Sequence, residues 1–95
     1  MFWNTIEEWI KGLAYAAEPQ RLLIVAEDQV VFEGQREAHI LLCVNGVWAC
    51  DCASYWPSCM LPGGGWCRHT VAVKCILAVL RSGLRLPVRH AATVH

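Results

Sequence analysis

Cys50-Asp51-Cys52 and Cys67-Arg68-His69 put four metal-ligand side chains into two close pairs, with fourteen residues between Cys52 and Cys67. Three thiolates and one imidazole form a soft, tetrahedral donor set that suits Zn2+, with bonds of about 2.3 Å to sulfur and about 2.0–2.1 Å to nitrogen. Four protein ligands leave no open coordination position, so such a zinc is structural. A catalytic zinc needs an open position and a neighbouring base, and the deaminase pattern H-x-E…P-C-x-x-C is absent from the chain. A redox role for C-x-C would use the same low-pKa thiolates that zinc requires. The expectation is therefore a protein that is not an enzyme and takes no small-molecule substrate. The competing reading, separate buried thiols and a satisfied histidine, does not account for two pairs of matching spacing.

The flanking segments explain how the pairs can meet. In a strand, residues i and i+2 face the same way, so Cys50 and Cys52 can both point at one ion where a strand ends. Inside a helix the same spacing turns through about 200°, so Cys67 and His69 must straddle a helix start, with Cys67 just outside and His69 in the first turn. Asn45-Gly46 is suited to a two-residue type I′ hairpin turn between strands at 37–44 and 47–50. From Arg68 onward Val73, Ile76, Leu77 and Leu80 form a helical apolar stripe, with His69 on the same side and Lys74, Arg81 and Arg85 on a basic flank. Ser82-Gly83 is the expected stop. Upstream, Thr5-Ile6-Glu7-Glu8 has the form of a capping box. Ile6, Trp9, Ile10 and Leu13 then repeat at the spacing of one core-facing helix side, over about 5–17. Two β-branched runs, 22–26 and 30–33, read as strands joined by a turn. Residues 53–66 have no period and read as loop, and the tail from about 86 reads as flexible. The fold class is α+β: an N-terminal helix, a small antiparallel meander, then a knuckle made by a hairpin and a C-terminal helix.

Composition sets the outer bounds. Ninety-five residues make one domain, and 56% hydrophobic against 17% charged residues, with mean hydropathy +0.35, is the balance of a chain that folds. Lys74 interrupts the longest apolar stretch, far short of the ~20 residues a membrane span needs. Ala14-Tyr15-Ala16 has the small-residue form of a signal-peptidase site, but Glu7 and Glu8 precede it and no apolar h-region does. The reading is an intracellular, cytoplasmic protein, where six cysteines point to metal sooner than to disulfides. The net charge of zero is uneven. Residues 1–51 carry all eight acids and three bases, or −5, while residues 52–95 carry five bases and no acid, or +5. That is either a basic contact surface or two halves attracting one another.

Val44 to Cys52 and Cys67 to Val73 together resemble the SWIM-type zinc finger, whose pattern is C-x-C, a loop of variable length, then C-x-H. Trp48 stands where the family has an aromatic before the first ligand, and Cys67-Arg68-His69 followed by Thr70-Val71-Ala72-Val73 is similar to the family's C-[KR]-H and apolar helix. The likeness runs from about Ala38 to Leu80. The segment before it looks like the extension of small standalone prokaryotic SWIM proteins, giving a layout of 5–37, a finger at 38–83 and a tail at 86–95. The resemblance implies Cys50, Cys52, Cys67 and His69 as ligands of one structural Zn2+ in a ββα-like arrangement. It also implies an interaction module of protein or DNA. A protein partner is favoured over nucleic acid, because the pI of about 6.9 is below that usual for nucleic-acid domains. The nucleic-acid or acidic-partner contacts would be Lys74, Arg81, Arg85 and Arg89. Cys59, in the loop between the pairs, departs from the pattern and is a competing ligand candidate.

The other residues have plainer expectations. Cys43 reads as core, and Cys75 as covered by another element or partly exposed. His39 reads as a solvent-facing strand residue, and His90 and His95 as part of the loose tail. Trp9, Trp48 and Trp66 read as packing residues, the last two shielding metal–thiolate bonds. Trp3 and Trp56, with Phe2 and Tyr55, are candidates for an exposed aromatic patch.

Overall fold

A computed structural model describes residues 5–91, an α+β fold in which two helices cover one face of a five-stranded mixed sheet. In chain order the elements are α1 (Thr5–Ala16), a 3-10 turn (Pro19–Arg21), β1 (Leu22–Ala26), β2 (Gln29–Glu33), β3 (Ala38–Val44), β4 (Val47–Cys50), α2 (Tyr55–Cys59), α3 (Arg68–Arg81) and β5 (Arg89–His90). The strands lie in the order β4-β3-β2-β1-β5. The meander β1–β4 is antiparallel throughout, and the knuckle hairpin β3–β4 continues the β1–β2 sheet.

Local chemistry explains the boundaries that match expectation. Asn45 and Gly46 take positive φ of 53° and 79°, as a type I′ turn demands. Gly83, at φ 93°, follows the last turn of α3, which a β-carbon would oppose. Alternation sends Val30, Phe32, Leu41, Trp48 and Cys50 inward, where they meet Val73 and Ile76 of α3.

Helix α1 is turned over relative to its sequence pattern. Ile6, Trp9, Ile10 and Leu13, the expected core face, are 47–72% exposed, and the buried side is Glu8, Gly12 and Tyr15. Tertiary contacts outweigh the apolar stripe here. Gly12 lets α1 lie almost in touch with α3, since a β-carbon added there would fall 2.6 Å from Val71 Cβ. Glu8 does not complete a capping box with Thr5. Its carboxylate instead accepts the Arg68 backbone N–H at 3.1 Å and binds the guanidinium through Nε at 3.0 Å and Nη2 at 2.6 Å. A buried acid thus sits at the amino end of α3, where the helix dipole also favours negative charge.

Two further segments differ from expectation. The aperiodic stretch 53–66 contains the short helix α2, organised by buried Ser58. The Ser58 hydroxyl donates to Tyr55 O and accepts the N–H groups of Gly65 and Trp66, each at 3.2 Å. The tail is tied down as far as Ala91. Leu86 and Val88 pack against the core, β5 pairs in parallel with β1, and Ala91 N–H donates to Ile24 O at 2.9 Å. The open edge of β1 offers backbone partners that periodicity in the tail does not reveal. No helix of the described residues is long and apolar enough to cross a membrane.

Gly12→Val should lower the urea unfolding midpoint, by about 1–3 kcal/mol in stability, because the added side chain meets Val71 and the helices must part.

Candidate metal centre

Cys50, Cys52, Cys67 and His69 converge, with one ligand atom from each lying within 4.8 Å of all the others. All four are buried, and Cys67 is wholly inaccessible. The end of β4 supplies the first pair and the start of α3 the second. Cys67 is the extended N-cap of α3 at φ −145°, and His69 lies in its first turn. The Thr70 hydroxyl holds this helix start, accepting Cys67 N–H at 2.8 Å and donating to Cys67 O at 2.9 Å. The i, i+2 pair therefore straddles the helix boundary, as the 200° argument requires.

His69 Nδ1 is the nitrogen turned to the thiols, 3.7 Å from Cys50 Sγ and 3.9 Å from Cys67 Sγ. A tetrahedral Zn2+ with ordinary bond lengths sets sulfur–nitrogen edges of about 3.6 Å, so these distances fit the ion with little adjustment. The bare thiols hold their protons unequally. Hydrogen bonds from Cys50 and Cys67 draw the Cys52 thiol well below its usual range, against the effect of burial. Hydrogen bonds to Cys52 and Cys67, with burial added, push Cys50 far up. For Cys67 a hydrogen bond with Cys50 lowers the value, but its bond with Cys52, burial and the nearby Cys52 charge outweigh it and push the thiol up to about 12. Packed thiols resist sharing several negative charges, and a divalent cation at the centre removes that conflict. The group is able to hold one metal ion such as zinc.

Aromatic rings enclose the histidine. Tyr15 stacks on His69 at 5.8 Å and 18°, Phe32 approaches at 6.0 Å, and His39 at 4.3 Å. His39 is not the solvent-facing residue expected. It points to the helix-covered side of the sheet, and its Nδ1 lies 3.0 Å from Asp51 Oδ1. The register explains this, because His39 pairs with Phe32 and shares its inward direction. Asp51 turns to His39, and the pair forms a flank of the centre together with Cys50. Glu8, Tyr15, His39 and Ser58 thus support the centre, and the ligand motifs mark none of them. The signal for Glu8 was the acid at i+3 of the false capping box, and for Tyr15 its place seven residues beyond Glu8.

The remaining candidates separate from the centre. Cys59 is exposed, with its thiol 3.5 Å from Tyr55 O, and does not join the ligand group. Cys43 and Cys75 are half-buried, and Trp48 is buried in the core. Trp66 is half-buried and packs on the exposed Trp9 at 5.3 Å between ring centres. In the expected aromatic patch Trp56 is exposed and Tyr55 buried, while Phe2 and Trp3 lie outside the described residues. Of the basic set, Lys74 and Arg81 are exposed on one side of α3 and Arg85 follows it, exposed. Arg89 is committed elsewhere, to Glu33 at 2.9 Å and to Gln20 O at 3.1 Å. His90 lies in β5 and His95 outside the described residues.

No protein-family model, no curated protein and no solved structure matches this chain. The likeness to the SWIM finger rests on the two sequence motifs, and the structure adds that their four side chains form one buried group.

Metal analysis of the protein purified without chelator should give one zinc per chain, with Cys52→Ser or Cys67→Ser losing it. Chelation should lower the melting temperature, and lowering the pH should release the metal, because protons compete for the same thiolates and imidazole. Glu8→Ala should destabilise the fold by about 1–3 kcal/mol in chemical denaturation, since it leaves the Arg68 N–H and guanidinium without their acceptor.

Proposed function

We propose that this chain is a SWIM-type zinc finger whose single structural Zn2+ is held by Cys50, Cys52, Cys67 and His69, and that it acts as an interaction module for a protein partner. The observation that carries this is the closed, buried tetrad formed by the C-x-C and C-x-H pairs. All four positions of a tetrahedral ion are taken by protein, so the metal shapes a surface and does not activate water. The surface suits a protein. Ile6, Trp9, Ile10 and Leu13 line the outer side of α1, and Trp56 and Met60 stand out from the loop between the ligand pairs. A tryptophan-bearing apolar face of this kind is the anchor type that protein interfaces use.

The alternative is a DNA-binding accessory protein. It is favoured by Lys74, Arg81 and Arg85, which lie exposed and form no ion pair among the described residues. With Arg89 engaged by Glu33, about three phosphate contacts are left, which predicts a slope near −2 to −3 in log K against log salt.

Capture from the native cell with the zinc-loaded chain as bait should retain a defined protein. Ile10→Asp, an exposed change, should lose it while keeping zinc and fold. Fluorescence titration with single- and double-stranded DNA at about 50 and 200 mM salt checks the alternative. The protein reading expects no binding at either salt, whereas salt-dependent binding lost in Lys74→Glu would establish the DNA reading instead.

A further inference from the structure

The helices α1 and α3 cover one face of the sheet, and no element of the described residues covers the other. Strand β3 is apolar on both sides. Between Ile40 and Val44 the sequence reads Ile-Leu-Leu-Cys-Val, the continuous pattern of a strand buried on two faces. The structure buries only the inward set. Outward, Ile40 is 46% exposed and Leu42 46%, although they stand within an ordered strand, and Val44 at its end is 61% exposed. The register extends the patch. Val31 pairs with Ile40 and Ala49 with Leu42, and Val25, 42% exposed, adds the far strand.

Charge is almost missing from this face. Gln29, opposite Leu42, is its polar interior position, and the one acid at an outward strand position, Glu33, is neutralised at the margin by Arg89. A charged or strongly polar partner would find nothing here to pair with. The matching surface is another uncharged aliphatic sheet of the same size and twist, and the face itself is one. Two sheets of equal twist pack about 10 Å apart with strands near −30°, an arrangement that a two-fold axis through the face generates. Four strands spaced about 4.8 Å, with four to seven residues each of about 3.3 Å, give a footprint of roughly 20 by 13–23 Å. With side-chain relief included, two such faces remove on the order of 1,000–1,200 Å2, the small end of specific interfaces.

The geometry points to a homodimer formed by packing of the open faces of β1–β4 from two copies, with the helices and metal centres outermost. This assignment does not rest on the metal or partner reading. An interface this small is expected to give a weak dimer whose population depends on concentration.

The test is sedimentation velocity of the zinc-loaded full chain over a wide concentration range. Wild type should pass from monomer to dimer and stop there. Leu42→Lys and Leu42→Glu should each weaken the dimer by tenfold or more while circular dichroism and zinc content stay unchanged, since the side chain is exposed. Mixed in equal amounts, the two variants should dimerise again, because a two-fold axis near the centre of the face sets the opposite charges close together. Ile10→Asp, on the far side of the molecule, should leave the dimer intact. Wild type that stays monomeric at several hundred micromolar overturns the proposal. So does a dimer indifferent to both Leu42 changes, a dimer abolished by Ile10→Asp, or growth into open-ended oligomers.

Discussion

Everything in this molecule depends on bringing the end of a strand to the start of a helix. Cys50 and Cys52 share a direction only where β4 ends, and Cys67 and His69 only where α3 begins. Once those two boundaries meet, the course of the chain is strongly limited. Helix α3 must lie across the inward face of the sheet, and the loop of residues 53–66 must close without obstructing the ligands. Ser58 meets that need by binding the loop to itself from a buried position.

The second constraint is electrostatic. Arg68, the residue between two ligands, is gripped by Glu8 from a point sixty residues away in sequence. The acid is 3% exposed, so the pair is largely out of water and its geometry matters. The link fixes which side of α1 faces α3, and Gly12 makes the approach close enough to exclude solvent. It also gives the charge asymmetry a partial meaning, because an acid of the negative half binds a base of the positive half. Arg89 with Glu33 repeats the pattern at the other end of the chain. The two halves thus attract within one fold, while Lys74, Arg81 and Arg85 stay outside these pairs.

Among the described residues the same arrangement leaves two apolar surfaces uncovered, the outer side of α1 and the outer face of the sheet. They differ in chemistry. The helix face has a tryptophan and the Glu7–Lys11 ion pair beside it, features that suit a heterologous interface. The sheet face is mainly aliphatic, with its one ion pair at the margin, features that suit its own likeness. A chain of 95 residues with 56% hydrophobic content has more apolar surface than one small core absorbs.

The metal-ligand group, the hairpin turn at Asn45-Gly46, the stop at Gly83 and the strands were legible in the sequence, because each rests on chemistry within a few residues of itself. Spacing alone determined that Cys67 and His69 must straddle a helix start. The orientation of α1 was decided by tertiary structure. Its apolar stripe was a sound local signal, overruled by a buried ion pair and a close glycine contact that join residues far apart in sequence. His39 turned inward for the same kind of reason. Its neighbours suggested an outward phase, whereas pairing across β2 set it beside Phe32 and against His69. Periodicity tells which residues share a side, but only the packing of distant segments tells which side is covered.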